Sequence, residues 1–99
     1  DSFFLRLKGL IGKKEIDERE GIILYPCSSI HCFGMKFPID VIFLDKEKRV
    51  LSIYKNLQPN KMVSEKKAVY TIEMKGGMVQ KKRLKIGEIL NFINVTDLS

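Results

Sequence analysis

PIDVIFLD, residues 38 to 45, decides the reading of this 99-residue chain. β-Branched and aromatic residues stand at Ile39, Val41, Ile42 and Phe43, on both faces of an extended segment. Such a run, bounded by Pro38 and Asp45, predicts a strand. Asp40 breaks the apolar pattern. An inward-facing carboxylate needs partners, because burying a charge alone is costly. Arg6 and His31 are the candidates for that role. Outward from this stretch, KEKR (46 to 49) is a charged turn, and VLSIYKNL (50 to 57) alternates apolar and polar residues. The two segments predict a hairpin whose second strand is half exposed.

The remaining segments are short. GIILYP (21 to 26) predicts a strand stopped by Pro26, which cannot donate to a ladder. KAVYTIEM (67 to 74) alternates Ala68, Tyr70, Ile72 and Met74 against Val69, Thr71 and Glu73, which fits a strand with Glu73 near its end. EILNFINV (88 to 95) predicts a final strand. FFLRLKGLIGK (3 to 13) places Phe3, Phe4, Leu7, Leu10 and Ile11 at helical spacing, and MVQKKRL after Gly76 and Gly77 gives a second short helix. The polar KEIDERE and the loop QPNK (58 to 61) carry no element. Strands outnumber helices and the connections are short. The expected fold is mainly β, a small sandwich or barrel of five to seven strands with two short helices as edge cover. At this length, residues 1–99 make a single domain.

Composition narrows the function classes. Hydrophobic residues at 44 % and charged residues at 30 % are ordinary for a soluble globular chain. The longest apolar runs, such as VIFL, fall far short of the roughly 20 residues of a membrane-spanning helix. The net charge of +6 invites a nucleic-acid reading. Only Lys75, Lys81, Lys82, Arg83 and Lys85 cluster, and no recognition-helix, finger or aromatic RNA-binding motif accompanies them. A solvated lysine-rich surface is the simpler reading. Two cysteines make no disulfide scaffold, so reduced thiols in a cytoplasmic protein are expected. A leader removed upstream of Asp1 would permit export instead.

CSSIHCFGM (27 to 35) crowds both cysteines and the only histidine into nine positions. Cys27, His31 and Cys32 offer three metal ligands, yet structural zinc takes four in two separate pairs, and the fourth would have to be Asp40, Glu73 or water. The C-x4-C spacing is not the C-x-x-C of dithiol chemistry. A Cys27 nucleophile with His31 as base would need an unusual turn and an oxyanion hole that no motif announces. The simplest reading is packing: cysteine as a small hydrophobe, Met35 as gap filler. No metal or cofactor is expected.

The pattern as a whole resembles domain-of-unknown-function family 192 of bacteria and archaea. Four segments carry the resemblance: RLKGLIGK (6 to 13), GIIL (21 to 24), CSSIHCFGMKFPIDVIFLD (27 to 45) and YTIEMKGGMVQKKRLKIGEIL (70 to 90). The most specific part is His-x-Phe-Gly-Met followed by Pro-Ile-Asp and Phe-Leu-Asp. The resemblance implies a mostly β, jelly-roll-like domain. It implies motif positions at Arg6, His31, Asp40, Glu73 and Gly77, and at Cys27, Phe33, Gly34, Met35 and Pro38. It also implies that Cys32, where the family commonly has threonine, is replaceable. It supplies no activity.

The leading expectation is a small binding or interaction module for a small molecule or protein. Its site residues would be Arg6, Cys27, His31, Met35, Asp40 and Glu73. An enzyme using His31, Asp40 or Cys27, and a metal-binding domain, are the alternatives. The enzyme needs those side chains within hydrogen-bond reach.

Overall fold

The computed structural model describes residues 3–11, 14–16, 21–32, 36–90 and 93–97. In chain order the strands are β1 (Phe3–Ile11), β2 (Lys14–Ile16), β3 (Gly21–Tyr25), β4 (Ser29–His31), β5 (Ile39–Leu44), β6 (Val50–Leu57), β7 (Met62–Ser64), β8 (Tyr70–Lys75) and β9 (Ile93–Asp97), with helix α1 (Met78–Lys82) after β8. Seven strands form one sheet in the order β2-β1-β3-β8-β5-β6, with β9 also on β1; β4 and β7 form a second, two-stranded sheet. Every pairing among the described residues is antiparallel. The mainly β expectation holds, and the sandwich is an unequal one.

The two-sided apolar pattern of residues 38–45 has a direct cause. β5 lies between β6 and β8, and all six of its residues are buried. On one face Ile42 and Leu44 pack with Ile23, Ile72 and Met74 under a cover of Met78, Val79, Leu84 and Leu90. On the other, Ile39, Val41 and Phe43 pack with Leu24 beneath Ile30 and Val63 of the small sheet and the neighbouring Cys32. Each face is closed by a different cover, so both faces of β5 are buried and Asp40 is its one polar residue.

The β5–β6 hairpin forms as expected. A register shift lies between the pairs Ile39↔Leu57 and Val41↔Tyr54, so β6 carries an extra residue there. Asn56 sits in this bulge at φ 51, a left-handed conformation that asparagine tolerates.

Four expectations are corrected. Residues 3–11 are strand β1, not a helix. The apolar spacing is helical, but a helix this short with Gly9 inside it is marginal on its own. Pairing with β2, β3 and β9 supplies the hydrogen bonds instead. Among the described residues only α1 is helical, rather than two short helices. β2, β4 and β7 arise in segments that predicted no strand, and each has only three residues, too few for periodicity to register. In the closing segment Ile89 makes an isolated bridge to Arg49, Leu90 enters the core, and the strand starts at Ile93.

Helix α1 starts from Gly77 at φ 95, with open space where a Cβ would stand. Gly77→Ala is therefore expected to cost about 1–2 kcal/mol from backbone strain alone. A chemical denaturation midpoint measures it. A larger loss would reveal a steric conflict that the geometry lacks.

Candidate functional site

Asp40 resolves first. It is fully buried in β5, directly opposite Met74 and on the face that α1 covers. Its Oδ1 accepts the Asn56 N–H at 2.9 Å. Its Oδ2 accepts the N–H groups of Gly77 at 3.1 Å and Val79 at 2.8 Å. One carboxylate thus satisfies the bulge amide that the β5–β6 ladder leaves over, and two amides at the start of α1 that have no intrahelical partner. The helix has no side-chain cap of its own, and its first turn has no acidic residue. Asp40 supplies that negative charge from the strand beneath. These partners are main-chain amides, where side chains had been expected.

Glu73 lies on the opposite face. Its pair across β8–β5 is Val41, and its pair across β8–β3 is Ile22. Directly opposed residues share a face, and Val41 and Ile22 belong to the cluster beneath the small sheet. The row continues to Arg6 in β1 and Tyr54 in β6. Arg6 is therefore placed by backbone register two strands from Glu73. Burial pushes the Glu73 carboxyl up from its ordinary value. The thiol of Cys32 is pushed up as well, by burial first and by the nearby Glu73 second. A thiol held protonated is a poor nucleophile.

The Glu73 shift has a consequence for stability. The folded chain holds that proton more tightly than the unfolded chain, so the stabilisation is complete below the unfolded pKa of about 4.3 and is lost as pH rises through the higher folded value. Glu73→Gln, which cannot ionise, is expected to flatten this part of the pH dependence. Urea midpoints for both chains between about pH 4 and pH 8 measure it. Parallel curves would contradict the assignment.

The other expected residues separate. His31 is exposed on β4, alternating with buried Ile30 and paired with Met62. The small sheet covers the Glu73 face, so the large sheet stands between His31 and Asp40. Of the pairs that the enzyme reading names, His31 with Asp40 is not assembled. Cys27 is half-buried; its thiol donates to the Ser29 carbonyl at 3.2 Å and its carbonyl accepts the Thr71 hydroxyl at 2.9 Å. Both thiols are free. Met35, with Phe33 and Gly34, lies outside the described residues. Among the described residues no three His, Cys, Asp or Glu side chains gather as a metal site.

At the end of β8 there is a cleft of about 270 Å³, lined by Phe37, Pro38, Asn56, Lys75 and Gly76. Phe37 and Pro38 lead into β5, and Asn56 is the bulge residue. Lys75 pairs with Ile39, which puts it on the Glu73 face. Gly76 is required by close approach: its N–H donates to the Pro38 carbonyl at 3.3 Å, and a Cβ there would stand 2.5 Å from Asn56 Oδ1. Asp40 braces this cleft from behind, through Asn56 on one oxygen and Gly77 on the other. Asn56, Lys75 and Gly76 were not foreseen as site residues. The available signal was an asparagine interrupting an alternating strand, which marks a bulge. A second hollow of about 450 Å³ follows β6 and β7 from Ile53 to Val63.

The order of these elements, with Pro38, Asp40, Glu73 and the paired glycines meeting at one end of the sheet, invites comparison with known proteins. The sequence pattern of DUF192, described as uncharacterized ACR, matches residues 1–92. The chain belongs to domain-of-unknown-function family 192. It is 31 % identical over 98 residues to the UPF0127 protein TK1120 of Thermococcus kodakarensis, covering 93 % of this chain and 61 % of that protein. The chain thus spans less than two thirds of that relative. A crystal structure of a protein of unknown function from Novosphingobium aromaticivorans superposes with a TM-score of 0.67 at 18 % identity, over 90 % of this chain and 84 % of that one. That likeness shows a shared fold. Within the family-192 chain, no described helix is long and apolar enough to cross a membrane.

Proposed function

We propose that this family-192 domain is a small-molecule binding module whose site is the cleft at the end of β8. The observation that carries the reading is the brace beneath it. A fully buried carboxylate, Asp40, holds the bulge at Asn56 and the Gly77 turn, and these flank the lining residues Asn56 and Gly76. A cleft whose walls are fixed by hydrogen bonds to a buried carboxylate is preformed, as ligand sites usually are. Glu73, two residues before Lys75 on the same face, stands about 7 Å along the strand and adds a second polar group to the approach. Asp40 and Gly77 act here as positioning residues, with no contact to the ligand.

A screen of a chemically diverse small-molecule library by backbone amide NMR tests the proposal. The expected result is at least one compound whose saturable shifts centre on Phe37, Asn56, Lys75 and Gly76. A library in which every hit maps elsewhere, or none binds, would overturn it.

A further inference from the structure

We propose that the cleft takes a small carboxylic acid with a flat apolar body, an aromatic carboxylate being the simplest representative. This rests on the binding-module reading above and adds the class of ligand. The cleft presents two unlike walls. Phe37 leaves 53 % of its surface exposed beside Pro38, a flat apolar wall of the kind on which a planar group stacks. Lys75 brings an ammonium, and the Asn56 amide side chain closes the polar side. Lysine reads an anion as a point charge and does not require a second matched donor.

The surroundings have the same sign. Lys36 and Lys55 are exposed and directly precede two lining residues, Phe37 and Asn56. Neither of the two carboxyl groups near this end of the sheet lines the cleft. Asp40 faces the other side and spends its oxygens on three backbone amides. Glu73 shares the face of Lys75, and burial moves it toward its neutral form. The volume of about 270 Å³ lies just below the roughly 300–1,000 Å³ of ligand pockets for drug-sized molecules, so the occupant is about one ring in size.

The test is an amide NMR titration of the whole chain with benzoate, benzyl alcohol, benzylamine, acetate and inorganic phosphate. Benzoate is expected to shift Phe37, Asn56, Lys75 and Gly76 saturably, and to bind about tenfold more tightly than the alcohol or amine. Acetate and phosphate, which lack the flat body, are expected to bind weakly or not at all. Lys75→Gln and Phe37→Ala should each weaken benzoate about tenfold, and their exposure means that neither substitution threatens the fold. Equal binding of benzylamine or benzyl alcohol would overturn the charge assignment. Equal binding of phosphate or acetate would overturn the aromatic one. If benzoate leaves these amides unmoved, the ligand class is wrong. The module reading falls with it only if the diverse library also fails to reach the cleft.

Discussion

Asp40→Ala is expected to destabilise the fold by about 3–5 kcal/mol, a large share of the 5–15 kcal/mol that holds a typical domain. Three backbone N–H groups, at Asn56, Gly77 and Val79, lose their acceptor at once. The Asp40–Val79 bond is buried and the other two are partly so, leaving little room for water to replace the oxygens. Hydrogen bonds to a charged acceptor contribute about 1.5–3 kcal/mol each, and an unsatisfied buried donor costs about 1–3 kcal/mol. Removing the desolvation cost of the carboxylate offsets part of the sum. Asp40→Asn keeps one acceptor oxygen but turns an NH2 group toward a backbone donor, so it is expected to lie between alanine and wild type. Denaturant midpoints at constant slope measure both. A loss below about 1 kcal/mol for alanine would mean that solvent or a rearranged turn takes over these amides.

The second large effect is expected at Phe43. It is fully buried near the end of β5 and meets Tyr54 edge-on, with ring centroids 5.9 Å apart and planes at 87°. Phe43→Ala leaves a cavity between the main sheet and the small β4–β7 sheet, at an expected cost of about 3–5 kcal/mol. The edge-to-face contact accounts for about 0.5–1.5 kcal/mol of it. Phe43→Leu fills most of the volume and should cost well under half as much. Because the small sheet sits over this face, the alanine variant should also raise amide exchange in β4 and β7. If it costs no more than the leucine variant, the face beneath the small sheet is not the tightly packed layer described above.

Local order was legible in the sequence where it is self-contained. β5 and β6 adjoin in the chain, and their apolar patterns match the faces they present. β1 was not, because its apolar spacing suits a helix equally well and its neighbour β2 is too short to announce a hairpin. The motif residues show the same division. Asp40 could be read as a buried charge in need of partners. The partners themselves are main-chain amides 16, 37 and 39 residues away, and main-chain groups leave no mark in a sequence. His31 and Asp40 sit nine positions apart yet face opposite sides of the sheet. The β4–β7 pairing that carries His31 over the Glu73 face joins two three-residue strands, too short for a periodic signal. Lys75 was read only as a member of a basic cluster, because a chain with 18 lysines and arginines offers no reason to choose one of them as a site residue.

The central claim is that Asp40 holds the cleft from behind while the ligand is met on the other face. Per-residue amide hydrogen exchange, compared between the wild-type chain and Asp40→Asn under conditions where both are folded, tests it most directly. The account predicts that Asn56, Gly77 and Val79 lose protection first and most, while amides in the middle of β3 and β8 keep theirs. Unchanged protection at those three amides would contradict it, and would return Asp40 to the role of a free carboxylate available to a ligand.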